Sequence, residues 1–170
     1  MWTDFLTAII LSYVIGSISF AKIFAGIKGV DLAKSGSGNF GATNVFRSVG
    51  KGWGIATFVC DLLKGYLPVV VFPYIVYVVT HGAYDDRHTR ELALTCGFCA
   101  IAGHNWSMFL KFRGGKGVAT GAGVLLGVAP YSLGIGLISW IALLLISRYV
   151  SVASIGAALA VAISVCWRFF

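Results

Sequence analysis

The feature that most constrains this chain is a series of long apolar runs that leave little room for charge. Apolar residues make up 58% of the sequence and charged residues 11%, whereas soluble domains carry about 25% charged residues. Between Val118 and Ser147 there is no charged residue at all. A chain with so few water-facing groups cannot cover its apolar surface in water. The composition therefore predicts an integral membrane protein.

The apolar runs predict six membrane-spanning helices, since an ordinary span takes about 17–25 residues. The run from Val118 to Ser147 is too long for one span, and Pro130 divides it into two short ones. The first run lacks the basic start and the cleavage site of a signal peptide, so we expect it to be retained. The fold class is therefore an all-α, polytopic helical bundle, with one transmembrane domain over the whole chain. The predicted spans are residues 5–27, 53–80, 91–106, 118–129, 131–147 and 150–167.

The loops between these runs differ in charge, which predicts the orientation of the chain in the membrane. Cytoplasmic loops carry an excess of lysine and arginine. The loops around residues 28–52, 104–117 and 148–151 are basic, whereas the loop at 81–90 has both arginines and aspartates. We therefore place the N-terminus outside and the three basic loops in the cytoplasm. The net charge of +7 is spread over short breaks rather than one patch, so it does not indicate nucleic-acid binding.

The four cysteines do not form a recognisable metal or redox motif. Cys96 and Cys99 have the spacing of a CxxC pair, but no second pair and no histidine at zinc-finger spacing accompanies them. Like Cys60 and Cys166, they lie inside apolar runs. We interpret all four as small buried apolar residues and expect no metal site and no cofactor.

A polar, glycine-rich stretch, "SGSGNFGATN", follows the first predicted span. Glycine lets backbone N–H groups approach a ligand, and polar groups beside a span need partners that a bound anion would supply. Two simpler interpretations remain open. Thr43 or Asn44 could cap a helix, and Arg47 could be only a positive-inside residue. The candidate donors are Ser37, Asn39, Thr43, Asn44 and Arg47.

A second glycine-rich stretch, "RGGKG", stands directly before the predicted helix at Val118. Glycine N–H groups, Lys116 and the start of a helix are together typical of an anion or phosphate site. The spacing is not that of a Walker A motif, since Gly117 follows the lysine. The alternative is close helix packing through glycine, which we favour for the glycines of the following helices. These are Gly121, Gly123, Gly127, Gly134 and Gly136.

Three ionisable residues near these loops have more than one possible role from the sequence alone. His104 opens "GHNWSMFLKFRGG", and because the fifth residue after it is Phe109, a His–Asp pair five apart is missing. No GxSxG nucleophile elbow is present. Asp61 and Lys64 are three residues apart in the second predicted span and can pair. Charges inside a span also often mark function, so a structural pair and a role in an anion site both remain open.

Four segments, in this order and at these separations, point to a family. They are "GSGNFGATNVFR", "DLLKGYLP", "GHNWSMFLKFRGGKGVATGAG" and "RYVSVASI". From Tyr13 to about Ala158 the chain resembles the bacterial membrane acyl-phosphate:glycerol-3-phosphate acyltransferase family. The resemblance implies transfer of a fatty acyl group from acyl phosphate to the 1-hydroxyl of sn-glycerol 3-phosphate. The products are lysophosphatidic acid, for phospholipid biosynthesis, and phosphate.

The resemblance also implies a bundle of seven transmembrane helices in the bacterial cell membrane, with the active site near the cytoplasmic face. The expected partners are acyl phosphate, sn-glycerol 3-phosphate and the lipid bilayer, without cofactor, metal or nucleic acid, and the enzyme is expected to work as a monomer. The family continues through a seventh span to a segment with a histidine and an asparagine, whereas this sequence ends at "CWRFF". It also has Ser19 where members usually have proline.

Residue roles follow from the resemblance, motif by motif. Ser37 and Arg47 belong to the catalytic loop, and His104 is expected to join them. No protein base is evident, so the phosphate of the acyl donor is expected to take the proton of the attacking hydroxyl. The expected substrate-binding residues are Gly36, Gly38, Asn39, Gly41, Thr43, Asn44, Gly114, Gly115, Lys116, Gly117, Ser151 and Ser154.

A small transporter or channel subunit for an anionic solute is the alternative from another class. Glycine-rich breaks and short helices would suit one. Such a protein should place ionisable residues at the bilayer midplane. Asp61 and Lys64 lie instead near the inner side of their predicted span, which favours the enzyme.

The charge pattern makes a testable prediction about topology. Cysteines introduced at Asn39 and Arg113 should react with a membrane-impermeant maleimide from the cytoplasmic side, and one at Asp85 from the outside, because basic loops stay in the cytoplasm. The measurement is labelling of intact cells and inverted vesicles in a background without the native cysteines. Labelling of Asn39 and Arg113 from opposite sides would contradict a shared site.

Overall fold

The computed structural model describes residues 2–79 and 85–169, and within these ranges the chain is built from α-helices. Two single turns of 3₁₀-helix, Leu32–Lys34 and Met108–Leu110, lie in the loops. No β-strand occurs in the described ranges. The helices are α1 (Trp2–Ser17), α2 (Phe20–Ile27), α3 (Ala42–Ser48), α4 (Lys51–Val79), α5 (Asp86–Asn105), α6 (Val118–Val128), α7 (Pro130–Ser147) and α8 (Val150–Phe169).

The prediction of an all-α, polytopic membrane protein is confirmed. The predicted spans at 91–106 and 118–129 correspond to α5 and α6. Because α5 is less apolar and α6 has only 11 residues, their crossing of the bilayer stays a prediction. Residues 80–84, which include the predicted end of the second span and part of the predicted outer loop, lie outside the described residues. Four described segments are long and apolar enough to cross a membrane: residues 5–27, 51–79, 130–147 and 150–168.

The first predicted span is two helices, with a break between α1 and α2 at Ile18 and Ser19. Ser19 caps α2, since its Oγ accepts a hydrogen bond from the N–H of Lys22 at 3.3 Å. The carbonyl oxygen of Ile18 accepts one from Nζ of Lys64, on α4, at 2.7 Å. A carbonyl left open at a helix end inside a membrane needs such a partner. The break therefore depends on a residue far away in the sequence.

α4 is a single helix of 29 residues. Pro68 and Pro73 lie inside it and are both buried. Proline removes one helical hydrogen bond, but membrane helices tolerate it where neighbouring helices cover the freed backbone groups. Pro68 and Pro73 therefore do not interrupt the helix of the second span.

α5 begins earlier than its apolar run predicts. Its N-cap is Asp85, whose Oδ1 accepts a hydrogen bond from the backbone N–H of His88 at 2.9 Å. This hydrogen bond holds the pKa of Asp85 below its ordinary value. Asp86 adds a negative charge in the first turn, where the helix dipole favours it. The polar stretch up to Arg90 is therefore helical, although its charges are typical of a loop.

Glycines bring helices into backbone contact in the part of the chain before residue 125. A Cβ added to Gly16 on α1 would overlap the backbone of Ala100 on α5. One added to Gly65 on α4 would overlap the carbonyl of Thr120 on α6, and Gly123 on α6 meets the α4 backbone in the same way. The packing interpretation of Gly123 is thus confirmed.

The chain divides after Val124 into two compact units, which we call the first and second units. In the second unit α7 packs against α8. The hydroxyl groups of Ser132 and Ser164 lie 2.9 Å apart and share a hydrogen bond. A Cβ added to Gly136 would stand 2.5 Å from Cγ2 of Val161, so this glycine also allows close packing. The prediction of one domain over the whole chain stays a prediction.

Close packing is not observed at every predicted glycine. Gly134 has no atom within 4 Å of an added Cβ among the described residues. Gly121 meets only Cδ1 of Ile101, at the ordinary contact distance of 3.9 Å. Glycine in a membrane span is thus not by itself a sign of a helix contact.

The contact between α4 and α6 predicts that Gly65→Ala lowers stability. The new methyl group would overlap a backbone carbonyl, and such overpacking typically costs about 1–3 kcal/mol. Gly52 of the same helix is the matched control, since a Cβ there meets nothing within 4 Å. Gly52→Ala should be neutral or slightly stabilising. Thermal unfolding in detergent checks both, and equal melting temperatures for the two variants would contradict the contact.

Candidate anion-binding site

The first unit contains an open pocket of about 380 Å³, within the range of roughly 300–1,000 Å³ that small-ligand sites occupy. Four parts of the chain form it: the first loop (residues 28–41) with α3, then α4, the end of α5, and the second loop (residues 106–117) with α6. The lining residues are Ser37, Asn39, Gly41, Ala42, Thr43, Asn44, Arg47, Phe58, Asp61, His104, Lys116, Gly117, Val118 and Ala119.

The first loop is folded around the side chain of Asn44, which is buried in α3. Its Nδ2 donates to the carbonyl oxygens of Ser35 at 3.0 Å and Asn39 at 2.9 Å. Its Oδ1 accepts from the N–H of Ser37 at 3.1 Å and from the hydroxyl of Ser48 at 3.3 Å. An amide side chain has two donor hydrogens and two acceptor lone pairs, so Asn44 makes all the hydrogen bonds that its side chain can make. We therefore interpret Asn44 as the organiser of the loop.

Glycines give the first loop its turns. Gly36 and Gly38 have φ values of +59° and +70°, in the left-handed region that glycine adopts without strain. The N-cap of α3 is Gly41, so the interpretation of Thr43 or Asn44 as the cap is wrong. The polar side chains that this loop and α3 place on the pocket wall include Ser37, Asn39 and Thr43.

Positive charge reaches the pocket from two parts of the chain. Arg47 extends from the last turn of α3, and Lys116 stands just before α6. Both residues are exposed, so they can meet a ligand. Val118 and Ala119, the first residues of α6, also line the pocket. The first N–H groups of a helix have no partner within it and carry the positive end of its dipole, so the pocket combines two cations with a helix N-terminus and suits anions.

The second loop is fixed by contacts to α1 and α5. The hydroxyl of Ser107 donates to the carbonyl of Ser17 at 2.6 Å. The N–H of Gly115 donates to the carbonyl of His104 at 3.2 Å. Gly117 has a φ of +74° and turns the chain into α6. Because the N–H of Gly115 is used inside the protein, it is not available to a ligand, although the predicted glycine cradle included it.

Asp61 also lines the pocket, although no definite role for it could be predicted from the sequence. Its carboxylate is 2% exposed, and its Oδ1 lies 2.9 Å from Nζ of Lys64, so the predicted pairing is confirmed. The same oxygen lies 3.7 Å from Nδ1 of His104 on α5. A charge inside an apolar run was the signal in the sequence. Nothing in the sequence indicates that Asp61 lies close to His104, because the two residues meet only through the packing of α4 on α5.

Most of the predicted site residues come together in the first unit. Those that line the pocket are Ser37, Asn39, Gly41, Thr43, Asn44, Arg47, His104, Lys116 and Gly117. Those that shape the loops from behind are Gly36, Gly38, Gly114 and Gly115. The other two, Ser151 and Ser154, are exposed on α8 in the second unit, where Ser154 Oγ accepts a hydrogen bond from Trp140 Nε1 at 3.3 Å. Their site roles stay predictions.

The pocket also has an apolar side. Phe58 of α4 and Val118 of α6 line it, with 45% and 76% of their surfaces exposed. No group of three or more histidine, cysteine, aspartate or glutamate side chains in the described ranges could hold a metal ion. The site therefore offers cations, hydroxyl groups and apolar surface.

Fold and site together define an all-α integral membrane protein with a cation-lined pocket beside exposed apolar side chains. The chain belongs to the glycerol-3-phosphate acyltransferase family, whose model matches residues 6–170. It is 43% identical over 164 residues to the glycerol-3-phosphate acyltransferase of Desulforudis audaxviator, an alignment that covers 93% of this chain and 77% of that one. The corresponding protein of Chlorobaculum tepidum is 42% identical over 160 residues, covering 92% and 68%.

A solved structure has the same fold. The crystal structure of PlsY, described as an integral membrane glycerol 3-phosphate acyltransferase in its glycerol 3-phosphate form, superposes with a TM-score of 0.80 at 36% identity. The match covers 98% of this chain and 78% of that chain. A second structure, the lysophosphatidic acid form, gives a TM-score of 0.79. The family resemblance found in the four sequence segments is thereby confirmed.

Proposed function

We propose that this protein transfers a fatty acyl group from acyl phosphate to the 1-hydroxyl of sn-glycerol 3-phosphate, giving lysophosphatidic acid and phosphate. The observation that carries the proposal is the convergence of Arg47, Lys116 and the start of α6 on one pocket with an apolar side. It is supported by the names of the relatives and by the glycerol 3-phosphate and lysophosphatidic acid forms of PlsY.

The charges of the pocket match the main difficulty of this reaction. Both proposed substrates carry a phosphate, so the two anions repel each other when they are held side by side. Arg47, Lys116 and the positive end of α6 offset that repulsion. Holding the two substrates side by side adds the large benefit of proximity.

The proposed chemistry needs no group beyond the two substrates and these side chains. The 1-hydroxyl oxygen attacks the acyl carbonyl carbon, and the new ester bond forms while the bond from that carbon to the phosphate oxygen breaks. Phosphate leaves with the electron pair and takes the hydroxyl proton. Ser37 and Arg47 line the pocket and present donors for oxygen atoms that gain negative charge, which is the catalytic role that we propose for them.

The apolar side of the pocket supports a lipid-like donor. Phe58 and Val118 offer exposed apolar surface at the pocket, where an acyl chain gains from leaving water. We also propose that the pocket faces the cytoplasm in the bacterial inner membrane, because both pocket loops are among the basic segments. We also propose that the protein works as a monomer.

Donor choice provides the first test of the proposal. The full-length protein in detergent should release phosphate from palmitoyl phosphate and form lysophosphatidic acid only when glycerol 3-phosphate is present, whereas palmitoyl-CoA should not replace the donor. The measurements are phosphate release and product analysis. Robust product formation from palmitoyl-CoA alone would refute the donor assignment. Binding of glycerol 3-phosphate without any acyl transfer would instead favour a transporter.

Lys116 provides the second test. If it holds the phosphate of glycerol 3-phosphate, Lys116→Ala should raise the KM for that substrate about tenfold or more, because a hydrogen bond to a charged group is worth roughly 1.5–3 kcal/mol. The KM for acyl phosphate should change less. Arg113→Ala is the matched control, since this cation is exposed in the same loop but is not a lining residue. Equal effects of the two substitutions would reject the specific role of Lys116.

A further inference from the structure

We infer that His104 is a positioning residue rather than a proton acceptor: its imidazole, oriented by Asp61, supports the turn at residues 114–117 from which Lys116 reaches the pocket. The inference rests on the proposed function only for the identity of the anion that Lys116 meets. The supporting contacts belong to the protein itself and can be tested without turnover.

The imidazole of His104 occupies the space that a side chain at Gly115 would need. A Cβ added there would overlap Nε2 and would stand 2.7 Å from Cε1 and 3.2 Å from Cδ2. The backbone of the same two residues is joined, because the N–H of Gly115 donates to the carbonyl of His104 at 3.2 Å. A Cβ at Gly114 would likewise overlap that carbonyl. The turn therefore lies directly on residue 104, with no side chain between them.

The orientation of the ring is set from the other side by Asp61. Its Oδ1 lies 3.7 Å from Nδ1 of His104, which is too long for a hydrogen bond. At this distance the buried carboxylate still interacts with the dipole of the buried imidazole. A carboxylate at this place favours a proton on Nδ1. Nζ of Lys64 lies 2.9 Å from Oδ1 of Asp61 and donates to the Ile18 carbonyl at 2.7 Å, so the carboxylate is flanked by a cation that has its own anchor.

The surroundings of the two ring nitrogens suit a supporting role for His104. One ring nitrogen faces Asp61 and the other faces Gly115. A general base must bring a nitrogen to about 2.6–3.2 Å from the proton that it removes. The ring also lines the pocket, so kinetics must separate this supporting role from proton transfer.

A double-mutant cycle tests the support of the turn. Gly115→Ala should lower the melting temperature and the affinity for glycerol 3-phosphate, because its methyl group overlaps the imidazole. Both defects should be clearly smaller in a His104→Ala background, where the ring is absent. Gly117→Ala is the control, since its Cβ would meet Asn105 Oδ1 at 2.8 Å and its defect should persist in that background. Additive effects of Gly115→Ala and His104→Ala on the melting temperature would overturn the inference.

Steady-state kinetics separate positioning from proton transfer. His104→Ala should raise the KM for glycerol 3-phosphate about tenfold or more, since a small displacement of the turn misplaces Lys116. His104→Gln, which keeps bulk and an amide near the place of Nε2 but cannot accept a proton, should restore most of the activity. Loss of a general base typically costs about 100-fold or more in rate. A loss of that size in kcat for His104→Gln, at unchanged KM, would contradict the positioning role.

Nitrogen NMR of histidine-labelled protein tests the part played by Asp61, and its result does not depend on activity. The His104→Gln variant identifies the signal of His104 among the three histidines. The wild-type ring should carry its proton on Nδ1 near neutral pH, and Asp61→Asn should weaken that preference. A wild-type ring protonated on Nε2 alone would overturn the role of Asp61. Acyl transfer could fail while the NMR result and the double-mutant cycle both agree with expectation. The proposed function would then be rejected, and the positioning role of His104 would stand.

Discussion

The buried ion pair between Asp61 and Lys64 on α4 contacts both the break between α1 and α2 and the end of α5. Lys64 Nζ lies 2.9 Å from the carboxylate and donates to the carbonyl of Ile18 at the break between α1 and α2. The carboxylate in turn faces His104 on α5. Removing one partner of such a pair leaves an uncompensated buried charge, which typically costs about 3–5 kcal/mol. The break in the first helix, the wall of the pocket and the end of α5 therefore depend on one another.

The two pocket loops solve a problem that every non-helical segment at a membrane meets: their backbone groups need hydrogen-bond partners. In the first loop the amide of Asn44 supplies three of them. In the second loop Ser107 bonds to the end of α1 and Gly115 bonds to the end of α5. Because these bonds are made within the protein, the exposed side chains of Arg47 and Lys116 remain directed at the pocket.

Apolar runs were enough to place most helices, because crossing a membrane imposes a length and a composition that can be counted. The break at Ile18 could not be placed in this way, since its carbonyl is satisfied by Lys64 on another helix. The donors of the two glycine-rich loops were also identified from local chemistry. The proximity of Asp61 to His104 could not be identified in this way, because that contact exists only after α4 packs on α5. Sequence patterns thus predicted residues that line the pocket, and missed the contact between Asp61 and His104 behind them.

Backbone meets backbone where α4 crosses α6, at Gly65 and Gly123. Side chains change rotamer in picoseconds to nanoseconds, but no side chain separates these two helices at the crossing, so such motions cannot widen or narrow it. The spacing is a fixed dimension, set by the van der Waals radii of main-chain atoms. A change in the size of ligand that the pocket accepts is therefore expected at lining side chains such as Phe58 and Val118, which can be exchanged without moving either helix.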